Sequence, residues 1–176
     1  ALLSEVTRLS SLYEIVLMDT AAGVASSVID FAASSDFGLI VTSPEKTAIT
    51  DAYALIKLSL ARNRQCKLGL VVNRVRSARE GAFVLGRIVG CARRFLNHQV
   101  LELGYVWEDS RARRAVDEGA PLSLRYPDSK ASLSIRKLAR LMRENNLIFP
   151  RSLGASMGFE MMIEPSAKAA VGLAPL

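Results

Sequence analysis

The stretch YEIVLMDTAAG, residues 13–23, decides the fold. Its apolar run at 15–19 has the composition of a strand, and it ends on the carboxylate of Asp19 and a turn of small residues. Similar apolar runs occur at 38–42, 68–73 and 100–106, and the first three are continuous enough to predict strands covered on both faces. Helical spacing of apolar residues at 47–62, 82–97 and 129–145 alternates with them. This alternation predicts an α/β fold of three layers, α-β-α, around a mainly parallel sheet.

Two shorter signals complete the predicted order of elements. Ser77 and Glu80 have the spacing of a capping box at the start of the helix over 82–97. Asp109 precedes a short helical segment, and its side chain is predicted to cap it. Functional loops of such a fold lie at the carboxyl ends of the strands.

The turn after the first strand allows two interpretations. Asp19 and Gly23 form a DxxxG turn, in which the carboxylate would hold Mg²⁺ through water and the backbone would reach a phosphate. Alternatively, Asp19 caps the following helix. The 176 residues contain no GxxxxGK[ST] motif, so a phosphate cradle cannot be built from this chain alone.

Composition excludes several classes of protein. Half of the residues are hydrophobic and 23% are charged, which excludes a disordered or fibrous chain. The apolar runs are far shorter than the roughly 18 residues of a membrane-spanning helix. One histidine and two cysteines without ligand spacing exclude a multi-histidine or zinc site.

Charge is distributed unevenly along the chain. Residues 1–60 hold three basic and seven acidic side chains, whereas residues 61–146 hold 18 basic and eight acidic ones. Arg136, Arg140 and Arg143 share one side of the last predicted helix. Three interpretations stay open for this basic surface: contact with an anionic membrane, nonspecific contact with DNA, or a solvated face.

Four motifs in order resemble those of MinD/ParA-type ATPases with a deviant Walker A loop. Residues 13–23 resemble the switch II strand and turn, and VTSPEKTAITDAYALIK at 41–57 resembles the strand and helix that follow. LVVNRV at 70–75 is similar to the adenine-reading strand, and LGYVWED at 103–109 with RRAV at 113–116 resembles the loop that closes over the base. The string TDAYALIK is typical of the flagellar-number regulators, the FlhG, YlxH or FleN branch.

The resemblance implies a P-loop NTPase-like fold in which residues 1–146 are the C-terminal two-thirds of the ATPase domain. The deviant Walker A loop would then lie upstream of Ala1, and residues 147–176 would be a flexible tail. Alone, the chain is expected not to hydrolyse ATP.

The resemblance also implies roles for individual residues. Asp19 would hold the Mg²⁺ shell, and Gly23 would give the backbone freedom near the γ-phosphate. Asn73, with Arg74 beside it, would bond the adenine edge. The loop closing over the base would comprise Trp107, which stands where the family usually has proline, Glu108 and Asp109. Glu45 and Asp51 would lie at the dimer or partner surface.

The function implied by the resemblance is an ATP-dependent dimerisation switch that positions or counts flagella. Its cofactors would be ATP and Mg²⁺. Its partners would be a second copy in the ATP-bound state, the flagellar GTPase FlhF, the C-ring proteins and an anionic membrane, with DNA ranked lower. The protein would be cytoplasmic and peripheral on the inner face of the cell membrane. Two alternatives stay open: a chromosome-partitioning or division-site ATPase, and a non-catalytic interaction module on the same scaffold.

Overall fold

A computed structural model describes residues 6, 8–10, 12–147 and 160–163, the last four by their backbone only. A parallel sheet of five strands runs through these residues in the order β1-β5-β2-β3-β4. The strands are β1 (Leu17–Thr20), β2 (Phe37–Thr42), β3 (Leu68–Val75), β4 (Leu101–Trp107) and β5 (Glu160–Ile163). Between them lie the helices α1 (Ser26–Ser34), α2 (Lys46–Arg62), α3 (Ala78–Leu96), α4 (Ser110–Asp117), α5 (Leu122–Arg125) and α6 (Lys130–Glu144).

Two apolar cores lie on opposite faces of the sheet. One forms between the sheet and α1–α3, where Val28, Ile56 and Ile88 are buried. The other forms between the sheet and α4–α6, where Leu122 and Met142 are buried. The predicted three-layer α-β-α arrangement with a mainly parallel sheet is therefore confirmed.

Strands β1 and β2 differ in burial although both were predicted to be covered on both faces. Every residue of β2 is buried, which agrees with the prediction. In β1, Leu17 is 45% exposed and Asp19 is also exposed, so the prediction is wrong for this strand. The order of the strands explains the difference, because β1 lies at the margin of the sheet whereas β2 has neighbours on both sides.

Strand β5 was not predicted. Residues 160–163 pair in parallel with β1 on one side and β2 on the other. These four residues therefore differ from the flexible tail predicted for 147–176, and Leu147 closes the second core against α6. The remainder of the predicted tail lies outside the described residues.

None of the helices described in the structure combines the length and apolar character needed to cross a bilayer.

Candidate functional site

The carboxyl ends of β1–β4 lie at one edge of the sheet because the strands are parallel. The turn after β1 contributes Gly23, whose φ of +101° is a backbone conformation that favours glycine. Ala22 and Gly23 line a small hollow against β2 and α2, and the carboxylate-bearing Asp51 lines the same hollow. The predicted residues Gly23 and Asp51 are thus brought together, while Asp19 is exposed on β1 and is not among the residues that line this hollow.

An ion pair joins the loop that follows β2 to the carboxyl end of β3. Glu45 precedes the first residue of α2, and its carboxylate lies 3.7 Å from Arg74 Nη1. Arg74 adopts a φ of +59°, and its backbone N–H donates to Asn73 Oδ1 at 2.9 Å. A register irregularity between Val72 and Val75 accompanies this conformation. The end of β3 is therefore irregular at Arg74, whose side chain reaches Glu45. The Asn73 carboxamide oxygen already accepts one hydrogen bond, from the Arg74 backbone N–H.

A second ion pair joins the loops that follow β3 and β4. Arg76 Nε donates to Glu108 Oε2 at 2.8 Å, and the Glu108 backbone N–H donates to the Val75 carbonyl at 2.9 Å. Glu108 raises the pKa of the Arg76 guanidinium through this hydrogen bond and its charge. Sequence reasoning missed Arg76, and only its position three residues after Asn73 could have indicated it.

The predicted capping box at the start of α3 is present with one difference. Ser77 Oγ accepts from the Glu80 N–H at 3.1 Å, as predicted. The Glu80 carboxylate, however, accepts from the backbone N–H of Arg76 at 2.7 Å, one residue before the N-cap. Glu80 therefore also fixes the backbone of Arg76, whose side chain pairs with Glu108.

The Asp109 carboxylate accepts hydrogen bonds from the backbones of two helices, α4 and α6. Its Oδ1 accepts from the Arg111 N–H at 2.9 Å, which caps α4 as predicted. Its Oδ2 accepts from the Ala131 N–H at 3.3 Å in the first turn of α6. The second contact joins residues far apart in sequence, so no local pattern could have predicted it.

Replacing Asp109 should destabilise the chain through both contacts. We expect Asp109→Ala to lower the free energy of unfolding by about 1–3 kcal/mol, because each lost cap costs about 1 kcal/mol. Urea unfolding followed by far-ultraviolet circular dichroism measures the change. Asp117→Ala is the control, because it removes the same charge from the last turn of α4, where an acidic side chain has no favourable helix dipole. Equal small losses in the two variants would contradict the double cap.

Trp107 lies within the apolar packing rather than in an open loop. It is the last residue of β4 and is partly buried against the core under α1–α3. The Tyr105 ring meets it edge-on, with ring centroids 5.4 Å apart. Glu108 and Asp109 follow it directly and are held by the contacts described above.

The side-chain chemistry at this edge fits only part of a Mg²⁺–ATP site. Among the described residues there is no group of three or more His, Cys, Asp or Glu side chains that could enclose a metal ion. One exposed carboxylate, Asp19, suits Mg²⁺, which keeps several of its water ligands. The Asn73 carboxamide and the loops tied by Glu45–Arg74 and Arg76–Glu108 suit the base end of a nucleotide.

Comparison with known proteins gives three informative relatives. Antiactivator FleN of Pseudomonas aeruginosa is 31% identical over 79% of this chain and 50% of its own length. Flagellum site-determining protein YlxH of Helicobacter pylori is 35% identical over 76% of this chain and 45% of its own length. Septum site-determining protein MinD of Bacillus subtilis is 27% identical over 90% of this chain and 54% of its own length.

The chain is a relative of the MinD/ParA-type ATPases. The relationship to FleN and YlxH agrees with the flagellar branch indicated by residues 41–57. The chain spans about half the length of the curated relatives it matches. No protein-family model matches it.

Proposed function

We propose that this chain is the C-terminal part of an ATP-dependent dimerisation switch of the flagellar-number regulators. The observation that carries the proposal is the gathering of Asp19, Gly23, Asn73 and Asp109 at one edge of a parallel sheet, in a relative of FleN and YlxH. Such an edge is where α/β proteins bind ligands. The phosphate-binding loop would be supplied by a segment preceding residue 1.

The carboxyl ends of β1, β3 and β4 would hold different parts of the nucleotide. Asp19 would hold Mg²⁺ through water, and Gly23 would let the turn approach the terminal phosphate. Asn73 and the residues from Trp107 to Asp109 would receive the base. Bound Mg²⁺ supplies positive charge that neutralises the phosphate oxygens.

The ion pairs between the loops suit a site that opens and closes. Both Arg74–Glu45 and Arg76–Glu108 lie at the surface, where solvent weakens ion pairs and they contribute little to stability. Loops tied this weakly can separate to admit a base and close again afterwards. Order and disorder of such segments is a common way for a protein to sense a terminal phosphate.

The exposed carboxylates Glu45 and Asp51 would face a second copy or a partner protein. Glu45 precedes the first residue of α2 and Asp51 lies on this helix, where Asp51 lines the same hollow as Gly23. The conformation of a surface at this position would change when the terminal phosphate is lost, because the turn containing Gly23 would approach that phosphate. For the flagellar branch the partners would be FlhF and the C-ring proteins, and the protein would act in the cytoplasm and at the inner face of the membrane.

Calorimetry with Mg²⁺–ATP tests the proposal. The 176-residue chain should bind no tighter than about 10 μM, because contacts to the base alone lack the affinity that phosphate contacts provide. A longer protein in which a phosphate-binding loop precedes residue 1 should bind more tightly and form a dimer with ATP but not with ADP. A natural upstream segment without a Gly- and Lys-rich loop would instead favour the non-catalytic module.

A further inference from the structure

Strand β5 lies in an interior slot of the sheet, between β1 and β2. Its last residue, Ile163, pairs in register with Thr20 of β1 and with Ile40 of β2. Four residues make a short strand for an interior position, and β2 continues beyond Ile40 to Thr42. Strand β5 therefore stops before the carboxyl end of the slot.

The small hollow at the edge of the sheet lies where β5 stops. Its lining includes Ile40, which pairs with Ile163, and Val41, which follows Ile40 along β2. Gly23 and Asp51 line the same hollow. A loop that emerged from the carboxyl end of a strand in this slot would therefore meet the turn after β1 and the first half of α2.

A buried hydroxyl beside the end of β5 lacks a hydrogen-bond partner. Thr20 Oγ1 is buried and forms no hydrogen bond with any described residue. Buried polar atoms are nearly always hydrogen-bonded, because an unsatisfied one costs free energy. Since Thr20 is in register with Ile163, this atom indicates that residues 160–163 leave one polar contact at the end of the slot unmade.

The proposed nucleotide site requires a phosphate cradle that follows a strand in this same slot. Asp19 on β1 would hold Mg²⁺ and Asn73 on β3 would bond the base, so the phosphates would lie on the side of β1 that faces β3. A cradle of backbone N–H groups must then follow a parallel strand next to β1 on that side. Among the described strands, β5 holds that position.

The residues that follow β5 in sequence cannot form such a cradle. They are Glu164 and Pro165. The carboxylate of a glutamate carries the same sign of charge as a phosphate, and a proline has no backbone N–H to donate. A strand that occupies the slot and leads into these residues therefore excludes the phosphates.

We propose that residues 160–163 are an exchangeable strand that blocks nucleotide binding. They occupy the slot of the strand that carries the phosphate-binding loop, and that strand must displace them before ATP can bind. The inference rests on the proposed function, because the displacing strand would belong to the segment preceding residue 1. Exchange is feasible because main-chain hydrogen bonds, which any sequence can form, provide most of the contact when a strand is added to a sheet. Four residues form few such bonds, so a longer apolar strand would displace them.

Hydrogen exchange followed by mass spectrometry tests the proposal without nucleotide. The 176-residue chain is compared with the longer protein that includes the natural segment before residue 1. The backbone amides of residues 161–163 should be protected in the 176-residue chain and should exchange about a hundredfold faster or more in the longer protein. The amides of β2 should stay protected in both proteins and provide the internal control.

A proline variant tests the same proposal through stability. Met162→Pro removes one N–H from the hydrogen bonds that β5 forms with its neighbours. It should lower the urea midpoint of the 176-residue chain and leave the midpoint of the longer protein unchanged, because 160–163 no longer lies in the slot there. Met162→Leu is the matched control, since it keeps the N–H, and it should leave both midpoints unchanged.

The results that would overturn the proposal differ from those that would overturn the proposed switch. Equal protection of residues 161–163 in the two proteins, or no protection in the 176-residue chain, would contradict the exchangeable strand. An equal loss of stability from Met162→Pro in both proteins would show that 160–163 is a permanent strand. A longer protein in which residues 161–163 exchange rapidly but Mg²⁺–ATP does not bind would instead support the exchange and contradict the switch.

Discussion

Gly81→Ala should destabilise the chain although alanine is the better helix-forming residue. A Cβ at position 81 would lie 2.7 Å from Tyr105 Cδ1 and 2.8 Å from Tyr105 Cγ. The Tyr105 ring cannot retreat freely, because it packs edge-on against Trp107. Overpacking of this kind costs typically 1–3 kcal/mol, which exceeds the gain of about 0.5–1 kcal/mol in helix propensity. We therefore expect a net loss of about 1–2 kcal/mol.

The same helix supplies a matched control. At Gly86 an added Cβ would meet no atom within 4 Å, so Gly86→Ala should raise stability by about 0.5–1 kcal/mol. Urea unfolding of the two variants should therefore give changes of opposite sign. In a Tyr105→Ala background, Gly81→Ala should lose its penalty, and an unchanged penalty there would show that the clash is not its cause.

The elements that were predicted correctly are those whose signal is local. The apolar runs of β2 and β3 and the helical spacing in α2, α3 and α6 identified these elements to within a few residues. Helix α1 was missed because its short sequence, SSVIDFAAS, is rich in small residues and buries only Val28, Ala32 and Ala33. The exposure of β1 could not be predicted, because it depends on the order of strands in the sheet rather than on composition.

The candidate site shows the same division between local and long-range information. The positions of Asp19, Asn73 and Asp109 at strand ends follow from an apolar run that stops at a polar residue. The contacts that these residues and their neighbours make cannot be predicted from such local patterns. They join segments that are far apart in sequence: Glu45–Arg74, Arg76–Glu108 and Asp109–Ala131. Sequence therefore indicated which residues reach the edge of the sheet, while the structure was needed to show which of them are tied together.

Asp19 and Asn73 should affect different stages of the proposed ATPase cycle. Asp19 lies on β1 and Asn73 on β3, and β5 and β2 lie between these strands. With neighbouring strands about 4.8 Å apart, the two residues are separated by roughly 14 Å across the sheet. That separation places them at opposite ends of a nucleotide rather than at the same group.

We therefore expect opposite defects in a longer protein in which this chain follows a phosphate-binding loop. Asp19→Ala should lower kcat for ATP hydrolysis by about a hundredfold or more, with a much smaller change in ATP affinity, because its carboxylate would act at the phosphate end. Asn73→Ala should raise the Kd for ATP about tenfold, close to the ~1.4 kcal/mol of one well-placed hydrogen bond, and leave kcat almost unchanged.

Phosphate release and calorimetry together measure these two effects. Asp19→Asn is the control for shape, because it keeps the size of the side chain and removes its charge; it should match Asp19→Ala if charge is what the phosphate end requires. GTP in place of ATP provides the control for the base, since Asn73→Ala should reduce the preference for adenine while Asp19→Ala should not. Equal losses of affinity and rate in both variants would mean that Asp19 and Asn73 do not occupy opposite ends of the ligand, and the assignment of the sheet edge to a nucleotide would then be wrong.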